Sequence, residues 1–280
     1  MKSIKSIFIV LLIMPVFLFA QQEIKVMSFN IRLDVQSDGE NRWDLRKDKV
    51  AGLMNYYEAD FIGGQEVTHS QLTYLLENLK GYDFVGAGRD DGKTKGEYSP
   101  VFYKSSTYDL IQGGTFWLSP TPDSISKGWD AALNRVCSYG LFKHKKSKKM
   151  IWVFNTHFDH IGEEARKNSA KLIFEQIKKY NKKNYPVVLM GDLNLKPESE
   201  PVQFLRSNLK YGRDVSIQPA YGPADTWNAF KFDQVPNGCI DYIFVNDKKL
   251  TVKKYATITD SFDKKYYSDH FPVMATLELK

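Results

Sequence analysis

Along this chain, short unbroken apolar runs alternate with stretches whose apolar residues recur every three or four positions. The first pattern suits strands covered on both faces, the second a helix lying on a sheet. Strand-like runs fall at 24–29, 60–63, 101–103, 114–118, 135–143, 151–154, 186–190, 240–245, 252–259 and 273–279. Helical stripes are carried by Val50, Leu53, Met54 and Tyr57, by Leu72, Leu75, Leu76 and Leu79, and by Ala170, Ile173, Phe174 and Ile177. Such interleaving predicts α/β or α+β organisation. No low-complexity segment or Pro/Gly linker divides it.

The pattern also repeats. Two strands end in Phe-Asn, at Phe29-Asn30 and Phe154-Asn155, and each precedes a helix and a second strand finishing on an acid. The Asn-to-acid spacing is 36 residues for Glu66 and 37 for Asp192. Two such halves, each a sheet with helices on one face, can bury their free faces together. This predicts a four-layer α/β/β/α sandwich of two mixed sheets with helices outside, the sheets about 10 Å apart.

The first 20 residues follow a different logic. Lys2 and Lys5 precede an apolar run from Ile7 to Phe19, and Ala20 follows. A run of 13 residues is short for a membrane span, which takes about 20, and it fits a secretory signal peptide. Residues 1–20 are therefore expected to direct export, periplasmic or extracellular, leaving 21–280 as one large domain with no stable membrane span. Losing two lysines lowers Lys+Arg from 39 to 37 against 33 Asp+Glu, a mature charge of +4. That is compatible with phosphate-bearing substrates and is no argument for nucleic acid. The run Lys143-His-Lys-Lys-Ser-Lys-Lys149 reads as a solvated hairpin tip. Cys137 and Cys239 are too few for a disulfide framework; one bridge and two buried thiols both fit.

The candidate chemistry lies at the strand ends. Gly191 lets the chain turn after the strand at 186–190, and Asp192 and Asn194 follow at alternate positions. Asn30, Glu66 and His157 also follow strands, Asp241 opens one, and Asp269-His270 precedes the last. Antiparallel neighbours would bring all of these to one edge. Carboxylates and imidazoles crowded there are costly to desolvate unless they serve each other or a cation. Phosphoester hydrolysis needs that set: neutralised charge, a deprotonated water and a protonated leaving oxygen. Oxygen ligands such as Asn30, Glu66 and Asp269 suit Mg²⁺, Mn²⁺ or Ca²⁺ rather than zinc. His270 with Asp241, and His157 with Glu97, are the expected imidazole–carboxylate pairs. Arg135 is a candidate clamp for a phosphate oxygen.

Phe29-Asn30-Ile-Arg32, Gln65-Glu66-Val, Asn155-Thr-His157, Gly191-Asp192-Leu-Asn194, Ile240-Asp241-Tyr and Ser268-Asp269-His270 together resemble the ordered motif set of the endonuclease/exonuclease/phosphatase superfamily. The resemblance runs from about residue 24 to 280. It implies the same sandwich and a divalent-metal phosphoesterase, with Glu66 as principal metal ligand assisted by Asn30 and Asp269. It implies that Asp192 and Asn194 position or deprotonate the nucleophile and that His270, oriented by Asp241, acts on water or phosphate. Asp192 and His270 stand as alternative general bases. His157 is similar to the deoxyribonuclease-like, sphingomyelinase-like and deadenylase-like branches. Arg32 departs from abasic-site enzymes, which carry Asp there.

Around this set, Glu97 is either a partner of His157 or a strand-end charge, and Arg135 either a phosphate clamp or a salt-bridged structural residue. His160 either touches substrate or caps a loop. Trp227 is either a stacking platform or a core anchor, as are Trp43 and Trp129; His69 and His144 read as surface residues. The expected function is an exported, metal-dependent phosphodiesterase, with nuclease the first subclass to test. Lipid phosphodiesterase, sugar- or inositol-phosphate phosphatase and a non-catalytic binding module follow as alternatives. A bulky wall beside the cleft favours a small phosphate ester; an open basic groove favours a nucleic acid.

Overall fold

A computed structural model describes residues 23–246 and 248–280, so the segment read as a signal peptide lies outside the described residues. In chain order the first half comprises β1 (Glu23–Asn30), α1 (Trp43–Tyr57), β2 (Phe61–Gln65), α2 (His69–Asn78), β3 (Tyr82–Val85) and β4 (Val101–Lys104). Then come β5 (Tyr108–Trp117), β6 (Val136–His144), β7 (Met150–His157), α3 (Glu163–Tyr180), β8 (Val187–Asp192), α4 (Glu200–Asn208) and β9 (Lys210–Tyr211). The last are β10 (Asp241–Val245), β11 (Leu250–Thr257), β12 (Ser261–Phe262), β13 (Lys265–Tyr266) and β14 (Val273–Leu279). Two six-stranded mixed sheets result, ordered β11-β14-β1-β2-β4-β3 and β5-β6-β7-β8-β10-β9. The predicted sandwich is what forms.

The repeat has a structural counterpart. β1 pairs in parallel with β2 across the α1 connection, and β7 pairs in parallel with β8 across the α3 connection. Both parallel pairs therefore end at the same edge, with Asn30 opposite Gln65 and His157 opposite Asp192. β14 and β10 run antiparallel to β1 and β8, so their starts meet those ends; Asp241 pairs with Asp192. This register gathers residues far apart in sequence.

Alternation along β1 assigns each side chain a layer. Ile24 and Val26 join the core between the sheets, while Met27 and Phe29 pack with Val50, Leu53 and Met54 of α1 and Leu72 and Leu75 of α2. Towards the site the inter-sheet layer turns polar. Gln65 Nε2 donates to Asn155 Oδ1 at 2.6 Å and to Ser28 Oγ at 3.2 Å. Asn155 Nδ2 donates to the carbonyls of Gly64 and Pro100 at 2.8 and 2.9 Å. The repeat asparagine thus ties the sheets together beneath the site. A Cβ on Gly63 would lie 2.5 Å from Asn155 Oδ1, which is why only glycine fits there.

Several elements escape the apolar pattern. α4 buries only Val202 and Leu205, a stripe too short to mark a helix. β5 begins at Tyr108 rather than residue 114, because this edge strand leaves Ile111, Gln112 and Gly113 exposed and carries a bulge. Trp43 is a core residue of α1, 3% exposed, whereas Trp129 stays on the surface. Cys137 and Cys239 are free, buried thiols. Lys145 to Lys149 form the exposed β6–β7 hairpin tip, as expected. Among the described residues no helix is long and apolar enough to cross a membrane.

Replacing Asn155 by Ala should destabilise the fold by about 2–4 kcal/mol, since buried partners on both sheets are left unsatisfied. Urea unfolding measures this, and a loss below about 1 kcal/mol would contradict a bridging role.

Candidate active site

The strand ends enclose a cavity of about 610 Å³ lined by Glu66, His157, Asp192, Asp269 and His270 among others. Asp192, the last residue of β8, lines it and is 1% exposed. It is presented by Gly191, whose φ of 151° suits glycine and where a Cβ would collide with the Thr156 carbonyl. Asp192 Oδ2 accepts from Asn30 Nδ2 at 3.0 Å, and Oδ1 accepts from the Asn194 amide at 2.8 Å. The same Oδ2 lies 3.5 Å from His157 Nε2 and 3.8 Å from His270 Nε2. Burial, reinforced by the charge of Asp241, pushes the Asp192 carboxyl up to about 7, with His270 opposing.

The two imidazoles have opposite characters. His270 Nδ1 is 2.9 Å from Asp241 Oδ2, which also accepts from Thr226 Oγ1 at 2.5 Å. Burial works against the charged imidazole, but Asp241, then Asp192 and Asp269, outweigh it and hold His270 well above its ordinary value. A ring held in its charged form donates Nδ1–H to Asp241 and keeps Nε2–H for a second acceptor. His157 is pushed well below its ordinary value by burial, then by the nearby charges of Arg135 and Arg89. Asn194 Nδ2 donates to the Phe158 carbonyl at 3.1 Å and faces His157 Nε2 at 3.0 Å. The carbonyl fixes that amide as a donor, so His157 Nε2 is a lone-pair acceptor and the ring is neutral.

Glu66 and Asp269 converge from the other side. Glu66 accepts from Asn30 Nδ2 at 3.1 Å and from the Leu33 amide at 3.0 Å. Burial raises the Asp269 carboxyl, with His270 opposing and Glu66 adding to the rise. Asn30 Oδ1 accepts from the Arg32 amide at 3.0 Å, so its NH₂ faces the acids. In this orientation Asn30 joins Glu66 to Asp192 as a donor rather than serving as the metal ligand expected, and Glu66 and Asp269 are left as the oxygen ligands. Arg32, Glu66 and Asn194 all have left-handed backbones, at φ of 59°, 59° and 49°. Such strain in non-glycine residues is held only where the surroundings over-determine it.

A family model described as Endonuclease/Exonuclease/phosphatase family matches residues 27–270. The chain belongs to this family. Its members are hydrolases of phosphoester bonds, typically dependent on a divalent metal. A Bacteroides thetaiotaomicron mannosyl-6-phosphatase superposes with a TM-score of 0.87 at 38% identity, covering 91% of this chain and 99% of that one. Another family structure from the same organism gives 0.89 at 36% identity, over 93% of this chain and 99% of its own. The Sphingomyelinase C of Bacillus cereus is 30% identical over 79% of this chain and 80% of its own length. The chain spans 66%, 51% and 57% of the length of the first three curated relatives.

Within this family site, the donor chemistry fits a hard divalent cation at Glu66 and Asp269, two carboxylates that crowd each other in a buried cleft. Oxygen or nitrogen atoms of Asp192, Asp241 and His270 also lie within 4.8 Å of one another. That group is better suited to proton transfer, because a protonated imidazole bonded to Asp241 has no lone pair for a metal.

The flanking candidates divide. Glu97 lines the cavity, but its carboxylate forms a two-pronged pair with Arg89 at 2.8 and 2.9 Å, not a bond to His157. A guanidinium offers it two charge-assisted bonds where a neutral imidazole offers none of that strength. Arg135, 5% exposed, is salt-bridged to Asp159 at 3.3 Å and donates to His160 Nδ1 at 3.0 Å, yet also lines the cavity. His160 and Trp227 are cavity residues too, and Trp227, 41% exposed, is no core anchor. His69 is exposed and His144 partly so.

Site-building residues also come from outside the motifs. Thr226 accepts from the amides of Ile240 and Asp241, each at 3.2 Å, and so aims the Asp241 carboxylate. Arg46 of α1, 2% exposed, donates to the carbonyls of Ile31, Arg32 and Tyr267, joining the Asn30 turn to the Asp269 turn. Gln71 completes a capping box with Thr68 and donates to the Arg32 carbonyl at 2.8 Å. Only Gln71 carried a legible signal, the Thr-x-x-Gln spacing at the start of a helix.

Asp241→Asn should move the His270 imidazole down, to neutral at pH 7, because burial then acts without its main opposing charge. An NMR titration of the His270 ring checks this; a ring still protonated at pH 7 would contradict it.

Proposed function

We propose that this protein is an exported, Mg²⁺-dependent phosphoesterase whose substrate is a small, polar phosphate monoester of the sugar-phosphate kind. The observation that carries the reading is the cavity itself, whose wall includes both charge signs through Glu66, Glu97, Asp269, Arg32 and Arg135 and the apolar Trp227. A polymer site calls for a continuous basic groove. The densest basic run, at the β6–β7 tip, is the full length of β6 from Arg135, about 30 Å away. Similarity to the mannosyl-6-phosphatase supports the same substrate class. Export rests on the pattern of residues 1–20, and Mn²⁺ or Ca²⁺ are the substitutes that the oxygen ligands admit.

The diester reading, favoured by the motif set alone, stands second on the 30% identity to Sphingomyelinase C. A nuclease ranks below it, since the CCR4-Not complex 3'-5'-exoribonuclease subunit of Mycosarcoma maydis is only 23% identical.

In the reaction, Asp192 takes the proton of the attacking water as that oxygen bonds to phosphorus and the ester P–O bond breaks. A carboxyl near 7 is well placed for this, being half ionised at neutral pH while still basic. Asn30 and the Asn194 amide hold it in position. His270, kept charged by Asp241, donates from Nε2 to a phosphate oxygen on which negative charge builds, and the leaving alkoxide takes its proton from solvent. His157 Nε2, whose lone pair accepts from Asn194 Nδ2, holds that side chain beside Asp192. A Mg²⁺ held by Glu66 and Asp269 would neutralise phosphate charge.

EDTA should abolish hydrolysis, and Asp192→Asn or His270→Ala should each lower kcat by about 10²–10⁴-fold. Sugar and inositol monophosphates should be cleaved faster than bis-p-nitrophenyl phosphate, sphingomyelin, RNA or plasmid DNA. Preferential cleavage of DNA or RNA would sink the substrate assignment, and full activity in EDTA the metal.

The pH profile follows from the same groups. Below about 7 Asp192 is protonated and cannot act as base, so kcat/KM should rise as pH passes upward through that range. It should fall again where His270 loses its proton, well above an ordinary imidazole value. A profile that declines between pH 6 and about 8, where a neutral His270 would be lost as donor, would contradict these roles.

A further inference from the structure

Arg32 is held more tightly than a partly exposed arginine requires. Its carbonyl accepts from Gln71 Nε2 and Arg46 Nη2, both at 2.8 Å, and its strained backbone amide is tied to Asn30. Its Nε and Nη2 donate to the two oxygens of Asp38, each at 2.9 Å. These clamps leave Nη1, which they deliver into the cavity 3.8 Å from Glu66 Oε2 and 3.9 Å from Asp269 Oδ2. Those are the two carboxylates assigned above to a divalent cation.

The placement has a chemical consequence. A guanidinium has no lone pair to offer a metal and stays charged at any working pH. Beside Glu66 and Asp269 it supplies positive charge without being a ligand, and it repels further cations. Asp38 keeps it from swinging away, because a two-pronged carboxylate grip is both strong and directional. A protein that needed two metal ions here would gain from an acid at this position; this chain places a fixed cation instead.

We infer that Arg32 stands in for a second metal ion beside Glu66 and Asp269, so that the active site takes one divalent cation and not two. The inference rests on the metal-dependent reading above, and its test separates the two. Mn²⁺ is titrated into the full mature chain and free Mn²⁺ is counted by electron paramagnetic resonance. The wild-type protein should saturate at one tightly bound ion per chain and Arg32→Met at two. Thermal unfolding reports whether the variant is folded; if Arg32→Met is not, Arg32→Gln, which keeps a polar partner for Asp38, should likewise bind two. Two ions in the wild type, or one in a folded Arg32 variant, overturn the inference and leave the phosphoesterase reading intact. No bound ion in the wild type removes the metal-dependent reading and this inference with it.

Discussion

The structure turns on the cost of taking charge out of water. At one edge of the sandwich Asp192, Asp241, Asp269, His157 and His270 are each less than a tenth exposed. None could be kept there alone, since a buried carboxylate without partners loses its charge or unfolds the site. The solution is mutual. Asp241 makes His270 a cation, His270 tempers Asp192 and Asp269, and Asn30 spans Glu66 and Asp192. Excess negative charge is what leaves room for a metal, and also what makes a clamped arginine tolerable beside it.

The fold serves this arrangement in layers. Between the sheets, apolar packing gives way to a polar tier of Ser28, Gln65 and Asn155, and that tier to the ionisable groups. The polar tier is fully buried and cross-bonded, so the charged layer stands on a floor that cannot easily shift. Strain is concentrated above it, at Arg32, Glu66 and Asn194. A rigid scaffold carrying a strained rim is a common means of holding reactive groups in place before substrate arrives.

Much of this was legible along the chain because strand periodicity and motif order are local. The sandwich, the repeat, the gathering of Asn30, Glu66, His157, Asp192, Asp241, Asp269 and His270, and the His270–Asp241 pair all follow from it. The pairing of Glu97 failed for an equally clear reason. Arg89, eight residues earlier, gave no signal in the sequence, yet its guanidinium outcompetes a neutral His157 for that carboxylate. The same blindness hid α4 and the start of β5, whose apolar residues are too few or too exposed to show a period.

By itself the sequence determined which residue types stand at the ends of strands, and with them the fold and the kind of chemistry. It could do so because alternation and turn residues act within a few positions of each other. Tertiary structure alone decided the protonation of each imidazole, the donor face of Asn30 and the seat of Arg32. Those depend on burial and on partners distant along the chain, 162 residues apart for Asn30 and Asp192 and farther for Arg32 and Asp269, and no local pattern encodes such distances.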